Sequence, residues 1–159
     1  MAEKSQNDIF LETLKKLEQE NVLKELILVG SWCLPIYKNM YGKNANILTL
    51  RTSDLDFLSY MKIAAKYAME TEYMGIKLKI PELSAFTLHK AIVQTLRKNE
   101  TKKAKDAATV TNLGNFIAEF PELKIRTIQI FNKFPKSWQK IILEMVKIHS
   151  QKLNDILKA

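Results

Sequence analysis

A chain of 159 residues with 47% apolar side chains can bury one ordinary core, so it forms one domain, or one domain with an appended helical lobe. No apolar run approaches the roughly 18 residues that a membrane helix needs, and the polar start Met1-Ala2-Glu3-Lys4-Ser5-Gln6 lacks the apolar stretch of a secretory leader, so a cytoplasmic protein with no membrane association is expected. The net charge of +8 favours contact with polyanions, and the single cysteine, Cys33, excludes an internal disulfide.

Residues 6 to 20 place Ile9, Phe10, Leu14 and Leu17 at helical spacing, which predicts an amphipathic N-terminal helix packed on the rest of the domain. Leu26-Ile27-Leu28-Val29-Gly30-Ser31-Trp32 reads as a buried strand running straight into a helix start. Such a start exposes unpaired backbone N–H groups, and with the Ser31 hydroxyl it suits a phosphate. Cys33, in the apolar helix just behind it, is expected to be a small core residue. After a loop at residues 41 to 46 comes Arg51-Thr52-Ser53-Asp54-Leu55-Asp56-Phe57-Leu58. Residues i and i+2 of a strand face the same way, so Asp54 and Asp56 are expected to share one side while Leu55 and Phe57 enter the core. Two carboxylates this close repel each other unless a cation lies between them, and hard oxygen ligands suit Mg²⁺ or Mn²⁺.

Residues 61 to 73 are expected to be helical and residues 75 to 80 to form a strand that Pro81 terminates. A helix then begins near Glu82 with Ala85, Leu88, Ile92 and Leu96 on one stripe, and Lys90 and Arg97 on another face. The next helix, about 103 to 119, puts Asp106 on the same stripe as Val110, Leu113 and Ile117. A carboxylate there requires a cationic or hydrogen-bonding partner, for which Lys90 and Arg97 are the candidates. From His89 to Asp106 there are six basic residues against two acids, which read either as a solvated interhelical loop or as an electropositive rim for a nucleoside triphosphate or RNA. Phe120-Pro121 breaks the chain and a helix continues from there to about Phe131. Asn132-Lys133-Phe134-Pro135 makes a turn, and a single last helix is expected from about Lys136 to Lys158. Its broad apolar face reads either as packing on the preceding helices or as the docking face for a homodimer or cognate partner, and His149 on it reads as a hydrogen-bonded core-edge histidine.

The hydrophobic-Gly-Ser segment followed by Asp54-Leu55-Asp56 resembles the nucleotidyltransferase superfamily with a polymerase-β-like palm, and in particular small prokaryotic domains akin to abortive-infection toxin-type enzymes. Ile80-Pro81-Glu82-Leu83-Ser84-Ala85-Phe86-Thr87-Leu88-His89-Lys90 and Lys105-Asp106 are similar to the Pro-x-x-x-Phe-x-x-His-Lys and Lys-Asp signatures that come after the palm in such domains. The resemblance implies an α+β fold, with a small mixed nucleotidyltransferase-like sheet and helices over 1–82, shortened after residue 59, followed by a C-terminal helical lobe over 83–159. It implies that Asp54 and Asp56 are catalytic and bind Mg²⁺ or Mn²⁺, that Gly30 and Ser31 hold the phosphates of an NTP, and that Lys90 and Lys105 add positive charge at the rim. The acceptor, RNA, protein or small molecule, is left open. A third carboxylate is also implied, and only Glu70, Glu72 and Glu82 stand near enough in sequence to supply it. None falls in an expected strand, which opens a second reading, a non-catalytic nucleotide-binding or regulatory descendant of toxin–antitoxin or defence type; a third, a basic RNA- or DNA-binding module, rests on the basic residues from His89 to Lys105.

Overall fold

In the computed structural model, which describes residues 5–42, 44–49 and 65–159 together with the main chain of 56–58, the chain folds as α+β with a small mixed sheet and a helical C-terminal part. Helix α1 (Gln6–Gln19) opens on a capping box in which the Ser5 hydroxyl accepts from the Asp8 N–H and the Asp8 carboxylate accepts from the Ser5 N–H. It buries Phe10 and Leu14, and the Phe10 ring stacks on Trp32 at 4.0 Å between centroids.

Strand β1 (Ile27–Val29) passes through a 3₁₀ turn at Gly30–Trp32 into α2 (Cys33–Met40). Strands β2 (Asp56–Leu58), β3 (Ala68–Tyr73) and β4 (Ile76–Pro81) complete a sheet of order β2-β1-β4-β3, in which β1 is antiparallel to β2 and parallel to β4. β3 and β4 form a hairpin whose two turn residues, Met74 and Gly75, both have positive φ (54° and 81°).

The hairpin corrects the second half of the helix expected over 61 to 73: residues 65 and 66 are helical, 68 to 73 are strand, and 61 to 64 lie outside the described residues. The alternation of Met69, Thr71 and Tyr73 with the exposed Glu70 and Glu72 follows the two-residue period of a strand. Pairing of Met69 with Ile80, Thr71 with Leu78 and Tyr73 with Ile76 rewards that period with buried neighbours that an isolated helix turn would lack.

Five helices complete the chain: α3 (Leu83–Leu96), α4 (Glu100–Ile117), α5 (Pro121–Asn132), α6 (Lys136–His149) and α7 (Gln151–Lys158). Pro121 opens α5 at a first-turn position where its missing N–H costs nothing. Asn99 caps α4 by accepting from the Lys102 N–H, so residues 100 to 102 are its first turn and only 97 to 99 link it to α3. Ala85, Leu88 and Ile92 of the expected α3 stripe are buried, whereas Leu96 is 74% exposed.

The single last helix is also corrected, because it breaks at Ser150 (φ −151°, ψ 87°). The His149 carbonyl accepts from the Thr111 hydroxyl of α4, which supplies a partner outside its own helix. Gly114, also on α4, leaves room for the bend: a Cβ there would overlap Ser150 Oγ.

One hydrophobic cluster joins α1, the sheet and α2 (Phe10, Leu28, Tyr37, Ile80) to the later helices through Phe86, Leu113, Phe116 and Ile156. The 1–82 and 83–159 portions therefore share a core. A second cluster fills the space between α3, α4, α5 and α6 with Leu88, Val110, Ile130, Ile142 and Val146. Among the described residues no helix is long and apolar enough to cross a membrane.

Candidate nucleotide site at the β1–β2 junction

The buried residues Leu28 and Val29 fix the end of β1, and the chain then turns at Gly30 with φ +79°. This is the left-handed region, where a side chain would be strained, so glycine is what permits the abrupt passage from strand to helix. The turn is anchored from behind by Trp32 on Phe10 and by Cys33, fully buried, whose thiol donates to the Leu28 carbonyl at 3.3 Å. Neither the 3₁₀ turn nor α2 carries a side-chain cap. Val29 pairs directly with Asp56, so the main chain of Asp56 stands about 5 Å from Val29 and one position along from Gly30. Asp54 and the side chain of Asp56 lie outside the described residues. Gly30, Ser31 and the main chain of Asp56 are thus brought together by one strand pair.

Two of the three candidate third carboxylates, Glu70 and Glu72, are placed elsewhere, whereas Glu82 follows the end of β4, which runs parallel beside β1 with Ile27 opposite Lys79, and so stands at the Gly30 end of the sheet. Glu70 and Glu72 do lie in a strand, contrary to expectation, but β3 is separated from β2 by both β1 and β4. Three strand spacings amount to about 14 Å, well beyond the reach of a shared ion. Glu82 comes directly after β4, and its two carboxylate oxygens accept from Arg126 Nε and Nη2 of α5, each at 2.6 Å. This fork-to-fork pair engages both carboxylate oxygens and balances the charge. No group of three or more His, Cys, Asp or Glu side chains that could hold a metal occurs among the described residues.

Lys90 and Lys105 sit on α3 and α4. Lys90 Nζ donates to Asp106 Oδ1 at 2.7 Å and lies over the Phe86 ring, while Arg97 Nε donates to Asp106 Oδ2 at 3.1 Å. The expected Asp106 partners are therefore both present. The Lys90 charge is balanced inside the α3–α4 contact, and Lys105, half-buried, precedes Asp106. Burial, then the neighbouring Lys90 ammonium, opposed by Asp106 and reinforced by Arg97, pushes the His89 imidazole down to about 4. His149 is a core-edge residue as expected, its Nε2 3.1 Å from Gln94 Nε2.

Two features escaped sequence reasoning. Arg126 and Glu82 are 44 positions apart, and no local pattern links them. The other is an open groove of about 350 Å³ between α6 and the end of α7, lined by Lys136, Lys140, Lys147 and Lys158. Its signal was the spacing of three lysines along one helix, overshadowed by the apolar face of the same segment. A second cavity of about 350 Å³, bordered by Lys24, Ile27, Met69, Glu70 and Lys79, lies at the end of β1 away from Gly30.

No family model, curated protein or solved structure matches the chain.

Proposed function

We propose that this protein is nucleotidyltransferase-like: it binds a nucleoside triphosphate with Mg²⁺ or Mn²⁺ where β1 meets β2 and passes a nucleotidyl group to an acceptor hydroxyl. The observation that carries the reading is the Val29–Asp56 pairing, which sets an acidic residue beside a left-handed glycine that opens a helix start without a side-chain cap. Gly30, lacking a Cβ, lets a phosphate approach the backbone, and the N–H groups of the turn together with Ser31 donate to its oxygens. Asp54 and Asp56 would hold the cation, which when bound neutralises charge on the phosphates. The acceptor hydroxyl displaces pyrophosphate at the α-phosphorus, forming one P–O bond as the other breaks.

The placement of Glu70 and Glu72, and the pairing of Glu82 with Arg126, favour a second reading, a nucleotide-binding descendant with little or no transferase activity. The two carboxylates of β3 are too far from β2, and the charge of Glu82 is already balanced by the Arg126 fork. Transfer is therefore expected to be weak.

Titration with Mn²⁺, followed by its paramagnetic effect with and without ATP, tests the site. Tighter binding with ATP is expected for the wild type and an untightened response for Asp54→Ala/Asp56→Ala; identical behaviour of the two proteins removes the metal site. Incubation with NTPs labelled at the α-phosphorus, total RNA and cell lysate then separates the two readings, and loss of label transfer in Asp56→Asn assigns the activity to this junction.

A further inference from the structure

We infer that the α6–α7 groove is a binding surface for the phosphate backbone of a nucleic acid. Lys136, Lys140 and Lys147 stand at i, i+4 and i+11, within a narrow stripe of α6, and extend over about 16 Å of helix axis. Lys158 joins them from the last turn of α7. All four are exposed. Lys136 donates to Gln139 Oε1 at 3.2 Å, whereas Lys140, Lys147 and Lys158 make no ion pair among the described residues. Glu144, the lone acid of the lining, forms no close ion pair with them and leaves the groove with a surplus of three positive charges. Four ammonium groups against one carboxylate around one groove repel each other, and a polyanion relieves that repulsion while the lysines release the cations condensed on its phosphates.

The chemistry favours a nucleic acid over an acidic peptide. Lysines act as point charges with no fixed fork, so they suit a repeating backbone read by charge alone. The groove offers few directional contacts, because Gln139 Nε2 is already donating to the Phe134 carbonyl at 2.9 Å. Leu143 and the lysine stems supply an apolar floor against which a sugar or base can rest. A strand lying along the length of such a stripe presents several phosphates to it. The surface is independent of nucleotidyl transfer and would bind nucleic acid whether or not the β1–β2 junction is active.

Fluorescence anisotropy with labelled single-stranded and duplex oligonucleotides, repeated over a range of salt concentrations, tests this. Lys136→Ala/Lys140→Ala/Lys147→Ala is expected to bind at least about tenfold more weakly than wild type, with a log K against log salt slope shallower by about 2 to 3. Lys15→Ala/Lys16→Ala/Lys77→Ala removes the same charge from exposed positions elsewhere and is expected to retain most of the affinity. Equal weakening by the two lysine triples, or no binding by the wild type, overturns the assignment to α6. Displacement of the oligonucleotide by poly-glutamate at equal charge concentration overturns it in favour of an acidic protein partner. Circular dichroism of each variant confirms that the helices are intact.

Discussion

Lys90 Nζ donates to Asp106 Oδ1 at 2.7 Å across the α3–α4 contact, with only 11% of one side chain and 6% of the other exposed. A charge this deeply enclosed is tolerable only while its counter-charge remains. Asp106→Ala is expected to lower stability by about 3 to 5 kcal/mol, because it strands the Lys90 ammonium against Phe86 and removes the acceptor of Arg97. The double variant Lys90→Met/Asp106→Leu is expected to recover much of that loss. Denaturant melts of the single and double variants check both, and a single variant as stable as wild type would mean that the pair contributes little.

His89 adjoins this ion cluster and gives it a pH dependence. Its folded-state value of about 4 lies below the ordinary 6.5, so the unfolded chain takes up a proton first as pH falls. The folded state is therefore penalised from about pH 6.5 downwards, and the penalty is complete below about pH 4. Between pH 7 and pH 5 the loss amounts to about 2 kcal/mol from this group. His89→Gln is expected to flatten the stability profile over that interval, before the carboxylates titrate. A profile with unchanged slope would assign the acid sensitivity to other groups.

The Glu82–Arg126 fork is more exposed, at 26% and 37%, and is correspondingly weaker. Arg126→Lys keeps the charge but loses the two parallel bonds and the stacking over Tyr67. A loss of about 0.5 to 1 kcal/mol is expected in thermal or denaturant melts.

Patterns within a single element were legible in the sequence, and relations between elements were mostly not. The helical stripe of α1, the strand entering Gly30, the start of α3 near Glu82 and the buried place of Asp106 all follow from local periodicity and from the need to pair a buried charge. Residues 68 to 73 were misread because Glu70 and Glu72 are compatible with an amphipathic helix until the partner strand is known. The same holds for the candidate site. The resemblance implied that Gly30, Ser31 and Asp56 serve one nucleotide, but the antiparallel pairing that sets Gly30 beside Asp56 and the separation of β3 from β2 depend on sheet order, and the pairing of Glu82 depends on a helix 44 residues away.

The break between α6 and α7 is the clearest case of a tertiary contact overruling local pattern, since the heptad-like apolar positions continue straight through Ser150. Gly114 makes the contact possible, and Gly114→Ala sets two effects against each other. Alanine inside α4 favours the helix by about 1 kcal/mol. Its Cβ, however, would overlap Ser150 Oγ and stand 3.0 Å from Leu153 Cβ, and Leu153 is fully buried, so the neighbours cannot simply swing away. Overpacking of this kind costs about 1 to 3 kcal/mol, so net destabilisation is expected. Adding Ser150→Gly removes the closest clashing atom and is expected to restore part of the loss, whereas Ser150→Gly alone should cost stability through the added backbone freedom. A Gly114→Ala variant more stable than wild type would mean that α7 can shift outward freely, and that the bend at Ser150 is set by the Thr111 hydroxyl bond to the His149 carbonyl rather than by close packing on α4.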